Sequence, residues 1–449
     1  MQNVHVGFLP LGRPSFDIES ANQYFEQSKT MLGTVAARVS APDALCMSPE
    51  EAVTFLKKTI DAGAPDALVV QTTTFVDARF ICDIMDATEL PILMWGVREP
   101  RANGTRLSLN SMTGLNSACN SLVARGRKFQ FVFGNPTEPA LIREMESQLK
   151  VIGLLHRLKG MKIGVLGKHP DGFFFSDADP DMLASLGPKF VELDLNEAFR
   201  RAGDVSDREI SATLEAVRGK VKHLDRIPQD GLRKFAAFHA GLAEELNRQG
   251  IGMVGVRCWP EFFSDFGAAA CSTVSALIES GIMASCESDI HGALTMYIQH
   301  QLAGSAPYLG DLVHIDERKN SGVFWHCGAG SYSLARADTG ASAGVHPNRK
   351  LGFTLEFGLK AGHVAINRLG PDPARPGSYR MLMLDGEALD EPQKFWGTSV
   401  EVDFRRPVVP LFKKLMKAGF EPHYSLVYAD IQEELKLLCD WLDIESIEW

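Results

Sequence analysis

The feature that most constrains the fold is a regular alternation of short apolar runs with segments of helical periodicity in the N-terminal third of the chain. The apolar runs lie at residues 4–11, 66–74, 91–97 and 129–134. The helical segments between them lie at 18–32, 78–85 and 116–126. Alternation of this kind predicts a parallel β-sheet with helices on both faces.

The same alternation returns after a long helical segment at 139–158. The strand-like runs lie at 162–167, 191–195, 250–256 and 281–286. The helical runs lie at 206–218, 230–249, 267–279 and 289–300. Beyond residue 304 the apolar segments are short, partly alternating and bounded by Gly, Pro, Asn and Asp, which predicts an antiparallel sheet or barrel. We therefore expect an α/β protein of three domains, at 1–158, 159–304 and 305–449, the last β-rich with a terminal helix.

Composition excludes several classes of protein. The 449 residues are 45% hydrophobic and 23% charged, which is ordinary for a globular chain and excludes global disorder. A net charge of −10 argues against a nucleic-acid-binding surface, and no uninterrupted apolar stretch approaches the 18 or so residues needed to cross a membrane. The eight cysteines form no CxxC pair, and the N-terminus lacks a signal peptide, so we expect a reduced, cytoplasmic protein.

Acidic side chains follow two of the predicted strands of the second domain. Glu261 comes shortly after run 250–256, and Glu287 and Asp289 come directly after run 281–286. Open α/β sheets place ligand sites at the carboxyl ends of their strands. Because acidic groups are seldom buried without a partner, we expect a functional site here, although Asp289 alone would suit a helix N-cap.

Four histidines are the best candidates to join these acids. His291, His326, His346 and His423 lie at strand or loop ends beside glycine or proline, whereas most of the other histidines lie on predicted helices or within strands. Carboxylates with imidazole and no thiolate suit a divalent cation such as Mn²⁺. In the first domain, polar residues that include Arg13, Gln71 and Arg98 follow strand ends and should share one edge of the sheet.

Four motifs together resemble the L-fucose/L-arabinose isomerase-like superfamily. They are LPLGRPSFD at 9–17, RCWPE at 257–261, ASCESDIHGALTM at 284–296 and WHCG at 325–328. The resemblance extends along nearly the whole chain. It implies two Rossmann- or flavodoxin-like domains followed by a C-terminal β-rich domain, and a metal-dependent aldose-ketose isomerase.

The resemblance also implies roles for individual residues. Asp289 corresponds to the second metal-binding carboxylate of the superfamily, and His423 to its histidine ligand. The first carboxylate lies in a helix where this chain has Cys271 or a small residue, so we assign that role to Glu261, the nearest strand-end acid. Glu261 and Asp289 are then both Mn²⁺ ligands and proton-transfer groups.

Seven further residues are predicted to bind substrate, with Trp259 as an apolar wall for the sugar. They are Arg13, Gln71, Arg98, Trp259, Glu287, His291 and His326. The substrate is a small sugar, a hexose or pentose that isomerises through a cis-enediolate. Four arginines follow strand ends, namely Arg13, Arg98, Arg101 and Arg257. Because arginine binds anionic groups well, an anionic hexose such as sulfoquinovose is an alternative substrate.

Two other functions compete with isomerisation. A non-catalytic sugar-binding or sensor protein would share the α/β lobes, but it has no reason to retain an acid pair and a histidine. A dinucleotide-dependent dehydrogenase is disfavoured because no glycine-rich fingerprint follows an early strand. By the same resemblance we expect a homo-oligomer, a trimer or hexamer with its sites near subunit interfaces, in which Arg13 or Gln71 acts on a neighbour's site.

Overall fold

The structure is a computed structural model that describes residues 2–101, 104 and 106–449, with only the backbone of Gln2. Contacts within the chain divide it into two compact units. The first unit comprises residues up to Arg157 together with Glu433–Trp441, and the second comprises Leu158–Gln432 and Leu442–Trp449. The division into three domains stays a prediction. Over the described residues, none of the helices is both long and apolar enough to cross a bilayer.

The first unit contains one parallel sheet with the strand order β2-β1-β3-β4-β5. Its elements are β1 (Gln2–Leu11), α1 (Ile18–Val35), β2 (Ala36–Ser40), α2 (Pro49–Asp61), β3 (Ala67–Thr72), α3 (Ala78–Ala87), β4 (Ile92–Gly96), α4 (Ser111–Ala124), β5 (Phe129–Phe133) and α5 (Pro139–Leu158). The central strands β3 and β4 are buried at every position, as their continuous apolar runs require.

Two elements of the first unit, strand β2 and helix α2, were not predicted from the sequence. Strand β2 lies at the edge of the sheet and reads AARVS with two exposed residues, so it lacks the apolar run of a central strand. Helix α2 did carry a signal, because Ser48 caps it by accepting from the Glu51 backbone N–H at 3.2 Å.

The second unit begins with a four-stranded parallel sheet of order β10-β9-β6-β7. The elements of this part of the chain are β6 (Lys162–Leu166), α6 (Pro180–Ala184), β7 (Lys189–Leu193), α7 (Leu195–Asp204), α8 (Asp207–Arg218), β8 (Val221–Lys222), α9 (Gln229–Gln249), β9 (Ile251–Val256), α10 (Cys271–Glu279), β10 (Met283–Cys286) and α11 (Ile290–Ala303). The short strand β8 is not part of the four-stranded sheet. Helix α11 is buried along most of its length, which explains its apolar character on every side.

The rest of the second unit is an antiparallel barrel. Its elements are β11 (Tyr308–Asp316), β12 (Ser321–His326), β13 (Ala341–Gly344), β14 (Thr354–Gly358), β15 (Gly362–Pro371), β16 (Tyr379–Ala388), β17 (Thr398–Asp403), α12 (Val408–Ala418), β18 (His423–Val427) and β19 (Glu445–Glu448). Helix α13 (Gln432–Leu442) lies between β18 and β19 in the sequence, and its residues Glu433–Trp441 belong to the first unit. Pairing of β16 with β17 closes the ring β16-β15-β18-β11-β12-β17. The predicted α/β class and C-terminal antiparallel barrel are confirmed.

Candidate active site

The site begins at the carboxyl ends of β9 and β10, which are parallel neighbours with Cys286 opposite Val256. The residues after these two strands therefore meet at one edge of the sheet. The indole N–H of Trp259, after β9, donates to Glu287 Oε1, after β10, at 3.1 Å. Glu287 and Ser288 adopt left-handed backbone conformations, with φ of 57° and 54°, in the tight turn that leads into α11.

Asp289 is the N-cap of α11 and is completely buried. Its Oδ1 accepts from the Gly292 backbone N–H at 2.9 Å and from Arg368 Nη2 at 3.0 Å. Its Oδ2 accepts from Arg368 Nη1 at 2.6 Å and lies 2.9 Å from His423 Nδ1. A side chain at Gly292 would collide with the Asp289 carboxylate, so only glycine leaves room for this arrangement. Both oxygens of Asp289 are therefore fully used by protein partners.

His423 opens strand β18 and presents its other ring nitrogen to two more carboxylates. Nε2 lies 3.4 Å from Glu287 Oε2 and 3.6 Å from Asp311 Oδ1. Asp311 lies on β11, directly opposite His423 in the antiparallel register of β11 and β18. Asp289 thus fixes the imidazole through Nδ1, and Nε2 stands between the carboxylates of Glu287 and Asp311.

The charges of this group shift its pKa values. Burial alone would raise the pKa of Asp289, but the charge of Arg368 and the hydrogen bond with His423 hold it well below its usual range. Burial opposes protonation of His423, yet its hydrogen bonds with Asp289 and Glu287 raise its pKa to about 10. Burial raises the pKa of Asp311. The positive charge of a protonated His423 therefore stands among the carboxylates of Asp289, Glu287 and Asp311. A bound cation would take the place of that positive charge.

Aromatic side chains from the loop after β6 cover this group. The Phe175 ring packs edge-on against His423 with centroids 5.1 Å apart, and Phe173 packs edge-on against Trp259 at the same separation. Phe173 and Phe175 also contact each other, at 5.4 Å. Apolar rings beside a carboxylate and imidazole cluster exclude water and provide a surface on which a sugar ring can lie.

The chain is 45% identical over 448 residues to sulfoquinovose isomerase from Priestia megaterium (strain ATCC 12872 / QMB1551), covering 99% of both chains. It is 44% identical to sulfoquinovose isomerase from Alkalicoccus urumqiensis, with 98% of both chains covered, and 37% identical to that of Clostridium sp. (strain MSTE9), with 99% covered. The chain belongs to the sulfoquinovose isomerase family. It is accordingly an isomerase, an intramolecular oxidoreductase of the aldose-ketose type.

No protein-family model matches the chain. A solved structure of a solute binding protein from Agrobacterium vitis matches at 11% identity and a TM-score of 0.18, covering 67% of this chain and 90% of that one. A likeness at that level carries no argument about fold or function.

The structure does not assemble the ligand set that the sequence predicted for this member of the sulfoquinovose isomerase family. Asp289 and His423 are in contact, but Glu261 pairs with Arg257 at 2.7 Å and lines a cleft of about 1090 Å³ with residues that follow β6 and β7. Over the described residues, the groups of three donors within 4.8 Å of one another include neither Glu261 nor Asp289. The physical reason is that Arg257 turns the Glu261 carboxylate toward itself, while Arg368 and Gly292 use the lone pairs of Asp289.

Two predicted histidines lie near the site in different ways. The His326 ring is 5.8 Å from the His423 ring, and its Nδ1 accepts from the Cys327 backbone N–H at 2.9 Å. His291, in the first turn of α11, is buried against Tyr379, and neither of its ring nitrogens has a hydrogen-bond partner within the described part of the chain. Burial and the charge of Arg368 lower the pKa of His291 to about 4, so it is neutral at pH 7.

The predicted residues of the first unit are all engaged there. Arg13 pairs with Asp77, and Arg98 pairs with Glu138 at 2.8 Å. Gln71 is buried and donates to Ser28 Oγ at 2.8 Å. Arg257 of the second unit is paired as well. Each of these three arginines is thus already neutralised by a carboxylate, so recognition of an anionic group by any of them requires that pair to open or be shared.

Sequence reasoning missed Asp311 and Arg368. Both lie within strands, Asp311 in the run YLGDLVHID and Arg368 in GHVAINRLGP. A charged residue in an otherwise apolar strand was the available signal, since burying a charge is costly unless it is paired. The two phenylalanines of the loop after β6 were equally visible as FFF at 173–175, although nothing in their spacing indicated what they cover.

Proposed function

We propose that this isomerase converts sulfoquinovose into the corresponding 2-ketose through a cis-enediolate. The observation that carries the proposal is the placement of His423 Nε2 between Glu287 Oε2 and Asp311 Oδ1, beside the aromatic surface of Trp259 and Phe173. The substrate is taken from the relatives that are 37–45% identical along the whole chain.

Mn²⁺ is the cofactor that this donor set fits. Two carboxylates and an imidazole nitrogen are ligands suited to a divalent ion of this kind, and a carboxylate behind the imidazole is the usual way of orienting a metal-binding histidine. We assign Glu287, Asp311 and His423 Nε2 as the groups that would hold it, with Asp289 orienting His423. The three donors do not all lie within 4.8 Å of one another, so a shared ion would draw the two carboxylates together. When bound, such an ion stabilises negative charge on the sugar oxygens O1 and O2.

Asp311 is the group to which we assign proton transfer. Burial raises the pKa of its carboxyl group, and a carboxylate with a raised pKa is a stronger base toward a C–H proton. The carboxylate accepts the proton from C2 of the open-chain aldose and returns it to C1, while a hydroxyl proton passes from O2 to O1. Glu287 is held in place by the indole of Trp259, and Phe175 keeps water from the imidazole face of His423.

The test is an isomerase assay on protein dialysed against a chelator, with and without added Mn²⁺. Sulfoquinovose is compared with D-glucose, L-fucose, D-arabinose and L-arabinose. We expect turnover of sulfoquinovose that disappears on dialysis and returns with Mn²⁺. If the dialysed protein is as active as the protein with added Mn²⁺, the metal assignment is refuted. If the protein turns over a neutral sugar but not sulfoquinovose, the substrate assignment is refuted.

We also propose that the protein is a homo-oligomer of the L-fucose/L-arabinose isomerase-like superfamily. Support comes from the four motifs that carry the resemblance, which include the residues Trp259, Glu287 and Asp289 of the site. Light scattering coupled to size-exclusion chromatography measures the mass directly. A trimer or hexamer supports the proposal, and a monomer that is fully active contradicts it.

A further inference from the structure

Four cysteines of the second unit lie together next to the site described above. Cys258, Cys271, Cys286 and Cys327 come from four separate segments, following β9, opening α10, ending β10 and following β12. Cys271 Sγ is 3.4 Å from Cys327 Sγ, and Cys286 Sγ is 3.0 Å from Cys258 Sγ. The other four cysteines of the chain, Cys46, Cys82, Cys119 and Cys439, all belong to the first unit.

Two imidazoles complete this cluster. Cys286, His326 and Cys327 each place one donor atom within 4.8 Å of the others, and Cys271, Cys327 and His346 do the same. The first of these groups is the more deeply buried, with Cys286 and His326 both buried and Cys327 partly so. Two sulfurs bound to one tetrahedral Zn²⁺ at about 2.3 Å are roughly 3.8 Å apart, which is compatible with this spacing.

We propose that Cys286, Cys327 and His326 form a second metal site, selective for a thiophilic cation such as Zn²⁺, distinct from the carboxylate site at His423. Thiolate and imidazole donors favour Zn²⁺ or Cu⁺, whereas the carboxylate-rich site favours Mn²⁺. Cys258, next to Cys286, supplies a fourth donor from the neighbouring strand end. Binding releases the protons of the two thiols to solvent and uses the neutral imidazole.

The electrostatics of the cluster agree with this role. Hydrogen bonds from the thiols of Cys271 and Cys286, together with the charge of His326, lower the pKa of Cys327 well below its ordinary value despite burial. The thiolate is the form of cysteine that a metal ion binds, and a lowered pKa favours it.

Titration of the purified full chain with Co²⁺ tests the proposal. Thiolate-bound Co²⁺ has a near-ultraviolet charge-transfer band that carboxylate-bound and imidazole-bound Co²⁺ lack, so the two sites are separated in one experiment. We expect one equivalent of this band in the native protein, displaced by Zn²⁺, absent in Cys327→Ser and Cys286→Ser, and kept in Cys271→Ser and in the matched control Cys119→Ser. No band in the native protein, or a band lost in Cys271→Ser and kept in Cys286→Ser, overturns the proposal.

A second measurement avoids variants that fail to fold. Native protein is alkylated with iodoacetamide with and without Zn²⁺, and its cysteines are mapped by mass spectrometry. Zn²⁺ should protect Cys286 and Cys327 at least tenfold more than Cys119. Equal labelling rates, or a Cys258–Cys286 disulfide in protein prepared under reducing conditions, would contradict a metal site.

Discussion

The guanidinium of Arg368 binds both oxygens of the Asp289 carboxylate, at 2.6 and 3.0 Å, and both side chains are completely shielded from solvent. The pair joins the N-cap of α11 to barrel strand β15, so it holds this helix against the barrel. Arg368 also approaches Glu421, with Nε 3.4 Å from Oε2. This pair fixes the carboxylate that in turn fixes His423.

Removing one partner of this pair should be costly. Arg368→Met removes the bidentate partner of the buried Asp289 carboxylate and leaves its charge to be balanced by His423, and we expect it to lower the free energy of unfolding by about 3–5 kcal/mol. The measurement is urea unfolding followed by tryptophan fluorescence. The double variant Asp289→Asn/Arg368→Met should regain part of that loss, because neither charge is then unpaired. A double variant as unstable as the sum of the single ones would contradict a direct pair.

Asp289→Asn should abolish turnover and weaken Mn²⁺ binding by about 10- to 100-fold, since the group behind a metal-binding histidine sets its orientation. Binding is measured by isothermal titration calorimetry and turnover by the sulfoquinovose assay. Full activity of this variant would refute any role for Asp289 in the site.

Glu261 and Asp311 provide a matched comparison of two carboxylates. Asp311→Asn should lose both Mn²⁺ and activity, because Asp311 Oδ1 lies 3.6 Å from His423 Nε2. Glu261→Gln should keep bound Mn²⁺, because its carboxylate is bound to Arg257. Metal content by mass spectrometry after dialysis distinguishes them. The reverse pattern would restore the ligand set predicted from the sequence.

The adjacent phenylalanines of the loop after β6 offer another matched pair. Phe175 packs on His423, whereas the Phe174 side chain is 78% exposed. Phe175→Ala should lower kcat on the order of tenfold through looser positioning and entry of water. Phe174→Ala should leave kcat unchanged. Equal effects of the two substitutions would mean that the loop acts only through its backbone.

Acid should destabilise the second unit through His239. This side chain stacks on Phe235 with its Nδ1 buried, and burial lowers its pKa to about 4. The unfolded chain takes up a proton near pH 6.5, so the stability is present above that pH and is lost as pH falls toward 4. We expect a loss of about 1–2 kcal/mol between pH 7 and pH 5, reduced in His239→Leu. Urea midpoints at the two pH values measure it, and an unchanged pH dependence in the variant would contradict this origin.

The sequence by itself determined the class of fold and the strand ends that carry the site. Short continuous apolar runs such as the one at β3, alternating with helical segments, indicate buried strands, and the N-cap position of Asp289 follows from the local pattern alone. His423 was found because it stands beside proline at the start of a strand, and the structure places it against Asp289.

Only the tertiary structure decided which partners these residues meet. Asp311 faces His423 because β11 and β18 pair in one particular register, and Arg368 reaches Asp289 because β15 of the closed barrel lies against α11. The four cysteines converge in the same way from segments that carry no metal-binding spacing. Contacts between distant segments depend on strand register and barrel closure, which local periodicity does not encode.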